Sequence, residues 1–511
     1  MTPSPASTTS AKTFGCDTRR LTQSFREIQT LALMKNLLKI PALTLLLFTA
    51  ISHAEEMHVF HSTEGKPLTA SFVRLTGDTV TLKRQDGKIF DLPKIKLSAE
   101  DQLYLDGLAQ KTTDSFQKLN TAAGQEITDG TPFPSRKAED LARRLKLRPE
   151  SQSKYGKSWR LYAAFAKGYT LFSAMPYSVA LHSDQDGFAT SISIVYANKG
   201  DFGSTAGLAQ EHFKGGNTTT AATLTAAMDQ DEQTINKALT SVIGTGKAEY
   251  YGEGKTRRKV TRWDWNSHAF VLSNEEGEYV NLTIISSGVA NAAGRTALTK
   301  DDVVRKRLLA SIVRSSNGDL VLSEIPMVDQ GPKGYCVPAT FERAMRTMGM
   351  EADMYLLAMV GESGASGGTS VELLLKNLRH QVNSKGRRIK EEELKQLRIR
   401  DIKRYLDEGI PVMWTMCSMD EYNDIVDSNT QARAQITDWK AHTLDIVTSH
   451  AKLTGSTKPN SNRHLCMIIG YNEATQELAV SDSWGPRFAL RWVPIAVANW
   501  VSNDKIFMIL P

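Results

Sequence analysis

A turn-rich segment that ends at a cysteine and continues as a helix constrains the fold of this 511-residue chain more than any other feature. Residues 329–334 contain Asp, Gly and Pro, which favour turns. The apolar residues that follow recur at helical spacing: Phe341, Ala344, Met345 and Met348. Cys336 is therefore predicted at or near a helix N-terminus, where the partial positive charge of the helix stabilises a thiolate and lowers the pKa of the thiol.

A glutamine in the same segment is predicted to assist the cysteine. Gln330 lies six residues before Cys336 and carries a side-chain amide that donates hydrogen bonds. Together with the Cys336 backbone N–H, it is expected to hold the oxyanion that forms when the thiolate attacks a carbonyl.

A hairpin near the C-terminus supplies the base. Residues 464–471 and 477–480 read as strands, and the turn 472–475 joins them. A hairpin of this length brings Asp482 back beside His464. We expect the Asp482 carboxylate to accept the Nδ1 proton of His464, which leaves Nε2 facing the sulfur.

These motifs carry a family resemblance, and they occur in the following order: Asp329-Gln330-Gly331, Cys336, His464, Gly470-Tyr471 and Asp482-Ser483-Trp484-Gly485. The chain from about residue 325 to 511 resembles the papain-like cysteine peptidases, especially the bacterial branch similar to bacteriocin-leader peptidases. The resemblance implies that Gln330 is the oxyanion donor, Cys336 the nucleophile, His464 the base and Asp482 the residue that orients the base. It also implies a papain-like α+β domain over residues 321–511.

Two positions depart from papain itself. Papain has an aromatic residue directly after the nucleophile and an Asn that orients the base, whereas this chain has Val337 and Asp482. An Asp in the orienting position is usual in the bacterial branch. The departures therefore indicate a subfamily choice and leave substrate preference open.

The N-terminal 54 residues are predicted to be a leader and signal peptide. A basic stretch at residues 34–39 precedes an apolar run at 40–51, and Ala54 ends a group of small residues at which cleavage is expected. Met34 is an alternative start site, and an uncleaved N-terminal anchor is an alternative outcome. Loss of six Lys/Arg and two acidic residues with the leader lowers the formal net charge from +6 to +2, so no nucleic-acid partner is expected.

The signal pattern predicts that the mature chain is periplasmic or secreted. No later stretch approaches the roughly 20 apolar residues of a membrane helix, so no stable membrane span is predicted in the mature chain. Three cysteines remain after cleavage, and an odd number in an oxidising compartment suggests one free thiol. Cys417 and Cys466 either form a disulfide or are buried small side chains, with Cys336 reactive in both cases. The ten histidines show no metal-ligand spacing, so neither a metal nor another cofactor is predicted.

Residues 55–109 are predicted to form a small β module. Strands at 68–75 and 79–84, the hairpin signal Asp86-Gly87 and a helix capped by Ser98 carry this prediction. The module resembles the SH3-like homology domain first described in a yeast endocytic adaptor and frequent in bacterial envelope proteins, on the following residues: Gly65-Lys66, Ala70-Ser71-Phe72, Val80-Thr81-Leu82, Asp86-Gly87-Lys88, Leu92-Pro93 and 97–102. The resemblance implies a binding or spacing role, with a peptide as the possible ligand.

Residues 110–151 read as a polar linker with a short helical stretch at 138–147. Residues 152–315 are predicted to be an α+β middle domain, with a helix over 220–243 and a β pair at 261–272 and 278–286. Trp263 and Trp265 share one face of the first of these strands and are read as core residues.

The sequence thus predicts an exported multidomain protein: an SH3-like β module, an α+β middle domain and a papain-like α+β domain. The expected activity is that of a cysteine peptidase or amidase that cleaves peptide or related amide bonds through a Cys336 thioester. Two alternatives remain: a catalytically silent envelope scaffold whose SH3-like module binds peptides, and an acyl transferase that uses the same Cys-His pair. The expected partner is a peptide or protein substrate.

Overall fold

The computed structural model describes residues 57–202, 223–295, 297–365, 368–453 and 456–511. The predicted leader at residues 1–54 lies outside these ranges. Within them, no helix combines the length and the apolar character that a membrane crossing requires.

The first described region is an antiparallel meander of four strands in chain order: β1 Met57–His61, β2 Pro67–Thr76, β3 Thr79–Arg84 and β4 Ile89–Pro93. The predicted hairpin between β3 and β4 is present, and Gly87 supplies the positive φ of 83° that its turn needs. A small core fills the inner face, with the following members: Phe60, Ala70, Val80, Leu82, Leu97 and Leu105. The specific likeness to an SH3-like domain stays a prediction.

Helix α1 (Ala99–Ala123) begins at the predicted cap, where the Ser98 side chain accepts a hydrogen bond from the Asp101 N–H. It runs for 25 residues and continues past residue 109, the predicted end of the β module. The linker predicted at 110–151 is wrong in this structure, because its residues build helix α1, helix α2 (Ala138–Arg144) and strand β5 (Arg148–Ser153). Apolar side chains of the stretch enter the core of the middle domain: Leu119, Phe133 and Leu141. They are spaced too irregularly for a periodic pattern, and tertiary packing determines their burial.

The middle domain is built on an eight-stranded antiparallel sheet in the order β5-β6-β7-β8-β12-β11-β10-β9. Its further strands are β6 Gly156–Tyr162, β7 Ser178–Ser183, β8 Ala189–Asn198, β9 Lys247–Tyr251, β10 Arg258–Trp265, β11 His268–Glu275 and β12 Tyr279–Ser286. Its helices are α3 Lys199–Phe202, α4 Leu224–Ile243 and α5 Ser287–Ala290. The buried side of α4 packs on the sheet through Met228, Ile235 and Leu239.

One predicted strand of this sheet is divided into two. The sequence indicated a single strand over residues 261–272, whereas the chain turns at Asn266 and Ser267, which have φ values of 42° and 65°. Strands β10 and β11 then pair with each other. Trp263 is buried in the core as expected, and Trp265 is partly buried against it.

The C-terminal domain is built on a second antiparallel sheet in the order β13-β14-β17-β16-β20-β15, with β18 between β17 and β19. The strands are β13 Ile312–Arg314, β14 Asp319–Leu322, β15 Arg388–Glu393, β16 Val412–Cys417, β17 Arg463–Asn472, β18 Glu477–Ser481, β19 Arg491–Pro494 and β20 Ser502–Leu510. The helices are α6 Asp301–Ala310, α7 Cys336–Thr347, α8 Met354–Val360, α9 Val371–Ser384, α10 Ile399–Leu406, α11 Asp420–Arg433, α12 Trp439–Ser449 and α13 Ile495–Val501.

The predicted end of the middle domain at residue 315 needs correction. Strand β13 pairs with β14, and Val304 and Leu308 of α6 are buried in the core of the C-terminal domain. Helix α6 and strand β13 therefore pack as part of the C-terminal domain, although they precede the predicted boundary at 321.

Cys417 and Cys466 do not form the disulfide that the sequence left open. Strand β16 pairs with β17 so that Trp414 lies opposite Cys466 and Cys417 lies opposite Arg463. The two cysteines are thus three positions apart along the ladder, which is about 10 Å, and they point to opposite faces of the sheet. All three cysteines of the described residues are free thiols and buried.

The middle and C-terminal domains meet through a buried aromatic cluster. Tyr162 and Tyr279 of the middle sheet pack with Tyr335 and Tyr355 of the C-terminal domain. The ring centroids of Tyr335 and Tyr355 are 5.8 Å apart, and those of Tyr279 and Tyr355 are 6.3 Å apart. This contact places the end of β6 and the start of β12 beside the segment that leads into helix α7.

Candidate active site

Cys336 is the first residue of helix α7, as the sequence predicted. Burial raises the pKa of its thiol, but a hydrogen bond with His464, the charge of His464 and the backbone N–H groups of Leu465 and Val337 lower it, and the net shift is downward. Pro338 follows in the first helical turn, where a missing N–H removes no intrahelical bond. The backbone N–H groups at the start of the helix therefore remain available to the Cys336 sulfur.

His464 lies in strand β17 and is 7 % exposed. Its Nε2 atom is 2.9 Å from Oδ1 of Asp482, and its side chain also hydrogen-bonds Cys336. The predicted use of the two ring nitrogens is reversed, because Nε2 faces the carboxylate and Nδ1 is left for the sulfur. Strand alternation fixes the face on which a side chain lies but not the rotation of its ring, so the sequence could not decide this point.

Hydrogen bonds have a larger effect than burial on the pKa of His464. Burial lowers the pKa of the imidazole, whereas the bonds to Asp482 and Cys336 raise it, to about 9 in total. The Cys336 pKa moves down while the His464 pKa moves up, so the pair favours a thiolate beside an imidazolium. The two groups titrate as one coupled unit.

Asp482 follows strand β18 and is almost completely buried at 1 % exposure. Its second oxygen, Oδ2, accepts hydrogen bonds from Nε and Nη2 of Arg491 at 3.0 and 2.5 Å. Burial raises the pKa of the carboxyl, but the bond to His464 and the charge of Arg491 bring it below its usual range. The carboxylate is therefore held ionised between two cationic partners.

Arg491 was missed at the sequence level. It begins the short strand β19, whose other residues are apolar, and its side chain is 3 % exposed. A lone Arg in a strand of this kind needs an anionic partner when it is buried, and this is the signal that could have indicated it. Its Nη1 atom also donates to Asn423 at 2.9 Å.

Gln330 is 8 % exposed and lies in the segment that precedes Cys336. Its Nε2 donates to the Lys333 carbonyl at 2.8 Å, and its backbone N–H donates to the Ser483 carbonyl at 2.8 Å. The reverse amide orientation would bring two oxygen acceptors together, so the bond to Lys333 fixes which end is nitrogen. One of the two Nε2 hydrogens remains for an oxyanion.

Two further polar residues of helix α7 tie the nucleophile to the base. Thr340 donates to the Leu465 carbonyl at 3.0 Å, and Arg343 donates to the Ser481 carbonyl and hydroxyl at 3.2 and 2.5 Å. Positions 336, 340 and 343 lie on one face of a helix, because residues four and seven apart repeat the same direction. The helix therefore contacts both strands of the hairpin that carries His464 and Asp482.

Trp484 covers the base. Its ring is 4.7 Å from that of His464, with an angle of 31° between the planes, and the Arg491 guanidinium lies 5.3 Å from its centre. The aromatic surface restricts water around the bond between His464 and Asp482 and strengthens that bond. The sequence pointed to Trp484 only as part of the Asp482-Ser483-Trp484-Gly485 motif.

The structure thus brings together Cys336, His464 and Asp482, and places Gln330 in the segment that leads into Cys336. Residues 322–500 match the peptidase C39-like family. No curated protein matches the chain. The match supports the papain-like cysteine peptidase superfamily for the C-terminal domain and indicates an activity of the cysteine-peptidase type.

The peptidase C39-like span includes all four predicted site residues. It also includes the residues that support them and that the sequence missed: Thr340, Arg343 and Arg491. Across the described residues, no group of three or more His, Cys, Asp or Glu side chains is arranged to hold a metal ion. A thiolate, a base and two N–H donors suffice for acyl chemistry at a carbonyl.

Proposed function

We propose that this chain is an exported cysteine peptidase or amidase that cleaves peptide or related amide bonds through a thioester on Cys336. One observation carries the proposal: the buried hydrogen-bonded series Cys336, His464 and Asp482, in which the Cys336 pKa is lowered and the His464 pKa is raised. Such opposite shifts in adjacent groups are characteristic of an activated nucleophile and its base.

In the first half-reaction, the Cys336 thiolate attacks the substrate carbonyl carbon. The carbonyl oxygen becomes an oxyanion, which accepts hydrogen bonds from the Cys336 N–H and the free Nε2 hydrogen of Gln330. The tetrahedral intermediate collapses, the C–N bond breaks, and the His464 imidazolium donates its proton to the leaving amine. A thioester and a neutral His464 remain.

In the second half-reaction, His464 removes a proton from water as the water oxygen attacks the thioester carbonyl. Collapse breaks the C–S bond, releases the acid and restores the thiolate beside the imidazolium. Asp482 holds the imidazole by its Nε2–H and stabilises its positive charge, while Arg491 keeps Asp482 ionised.

The chemistry of the site supports an amide substrate, because the His464 imidazolium can protonate an amine leaving group. The pattern of residues 34–54 supports export of the chain. The substrate is therefore proposed to be a peptide or protein outside the cytoplasm.

The decisive experiment is thiol alkylation of the mature protein from Glu55 by limiting iodoacetamide between about pH 4 and 9, with mass-spectrometric readout at each cysteine. We expect rapid alkylation of Cys336 below about pH 7, and slow alkylation in His464→Ala until the pH approaches the ordinary thiol range. Cys336→Ala gives the background, and His442→Ala serves as a control, because His442 contacts Glu477 away from the sulfur. Reaction of wild-type Cys336 only above about pH 8 would contradict the proposal.

A further inference from the structure

The segment that carries Gln330 is held by the middle domain as well as by its own domain. Glu150 accepts a hydrogen bond from the Asp329 N–H at 2.9 Å, and Ser151 accepts one from the Met327 N–H at 2.9 Å. The Tyr162 hydroxyl donates to the Asp329 carbonyl. Strand pairing does not reach this stretch between β14 and α7, so its backbone groups need such partners.

The approach of the two domains is close at Gly331. Its φ is 69°, and a Cβ at this position would lie 2.8 Å from the Tyr162 ring. The Asp329 carboxylate accepts the Gly331 N–H at 2.9 Å and stabilises the turn. The loop that presents Gln330 is therefore shaped against a side chain of the middle domain.

Lys333 forms a buried ion pair between the domains. Its side chain is fully buried, and its Nζ atom is 3.1 Å from Oδ1 of Asp201, which is also fully buried. The rings of Tyr162, Tyr355 and Tyr335 surround Nζ at 4.5, 5.0 and 5.5 Å from their centres. A buried ammonium is stable only with such partners.

Asp201 is itself fixed within the middle domain. It lies in helix α3, directly after strand β8, and its N–H donates to the Asn198 side chain at 2.9 Å. The Tyr355 hydroxyl donates to its Oδ2 at 3.1 Å. The carboxylate thus has a defined position toward Lys333.

The position of Lys333 matters because its carbonyl is the acceptor that orients the Gln330 amide, at 2.8 Å. We infer that Asp201 is a positioning residue for the oxyanion donor: through its ion pair with Lys333, the middle domain sets the Gln330 amide in place. This inference rests on the proposed function, and it makes the middle domain part of the working enzyme.

Two probes separate this role from thiolate formation. p-Nitrophenyl acetate acylates Cys336 through an oxyanion: the S–C bond forms, the C–O bond breaks and p-nitrophenolate leaves with the electron pair. Iodoacetamide alkylates the same sulfur by displacement of iodide, with no oxyanion. The ratio of the two rates in the full mature chain therefore reports the oxyanion donors alone.

In Asp201→Asn we expect acylation to fall about 10- to 100-fold, as misplacement of a catalytic group commonly does, with alkylation within twofold of wild type. Asp201→Asn added to Gln330→Ala should cause little further loss, because Asp201 acts only through the Gln330 amide. Glu253→Gln is the control. Glu253 forms another ion pair between the domains, with Lys385 at 3.1 Å, and that pair does not contact the Gln330 segment.

A single Asp201→Asn change leaves the Lys333 charge buried without its carboxylate, which is strongly destabilising. The double variant Asp201→Asn with Lys333→Met removes both charges and keeps the site filled, and its selective loss of acylation should persist. Equal acylation in this double variant and Glu253→Gln would overturn the inference. A parallel loss of acylation and alkylation would also overturn it.

The outcomes also distinguish the inference from the proposed function. If wild-type Cys336 is not acylated above the Cys336→Ala background, the proposed function fails and the inference with it. If wild type is acylated normally and only the Asp201 variants lack the selective loss, the inference alone fails.

Discussion

The two sides of the candidate site are supported in different ways. The base side consists of His464, Asp482 and Arg491, which come from strands β17 and β19 and the end of β18, all within one sheet. The oxyanion side is Gln330 on an irregular segment, and the middle domain supplies many of its hydrogen bonds. The comparison teaches that a hydrogen-bonded sheet can place charged groups by itself, whereas a loop depends on what packs against it.

The difference has a physical origin in backbone hydrogen bonding. Each residue of a paired strand is held by its ladder, so β16 fixes His464 through its pairing with Met416, and Asp482 lies directly after the last paired residue of β18. A loop has no ladder, and its N–H and C=O groups must find partners elsewhere. Side chains of Glu150, Ser151 and Tyr162 take this role here.

The largest loss of activity is expected when the support of the base His464 is removed. Asp482→Ala should lower the rate of Cys336 acylation by about 10⁴-fold, because His464 loses both its orientation and the charge that stabilises the imidazolium. The rate of p-nitrophenolate release measures this loss. Asp427→Ala is the matched control, since Asp427 also contacts Arg491, at 3.3 Å, but is 34 % exposed and away from His464. Retention of a tenth of the wild-type rate in Asp482→Ala would refute the role of Asp482.

A smaller effect is expected on the oxyanion side. Gln330→Ala should lower acylation by about 10²- to 10³-fold, the usual cost of losing one oxyanion donor. The pH dependence of iodoacetamide alkylation should stay unchanged, because His464 and Asp482 are intact. Gln330→Glu has the same shape without the donor and should lose as much, whereas the exposed Gln435→Ala should lose nothing. A shift of the alkylation profile in Gln330→Ala would show that the two sides are not independent.

The smallest of the three effects is expected from Arg491, which supports Asp482. Arg491 lowers the pKa of Asp482, so in Arg491→Met this carboxyl should become protonated as the pH falls through a higher value. A protonated Asp482 cannot stabilise the imidazolium. The acid limb of the alkylation profile, which is the pH range in which the rate falls on acidification, should therefore move up by about one pH unit. Alkylation measured at half-unit steps of pH gives the shift. The exposed Arg487→Met should leave the limb in place, and an unmoved limb in Arg491→Met would contradict the role of Arg491.

The sequence was informative where local pattern decides structure. The strand that carries His464 is a continuous apolar run followed by a turn, and the apolar residues of the helix that begins at Cys336 follow a period of 3.6, so both are in place. The Ser98 cap and the Asp86-Gly87 turn follow from the chemistry of single residues and occur as predicted.

The sequence was uninformative where distant contacts decide structure. Residues 110–151 read as a linker because their few apolar side chains are buried only by partners elsewhere in the chain. The turn at Asn266 and Ser267 was missed because Asn-Ser is a weaker turn signal than Asn-Gly. Asp201 has no local signal, since its partner Lys333 lies 132 residues away.

The burial of the other cysteines has a practical consequence. Cys466 is fully buried, and burial holds the pKa of its thiol well above the usual range, while Cys417 is equally inaccessible in strand β16. Among the described thiols, this leaves Cys336 as the one that a limiting alkylating agent should reach first. Titration with a fluorescent iodoacetamide would then give the fraction of molecules that carry a reactive Cys336. Rates could thus be expressed per reactive site before the natural substrate is identified.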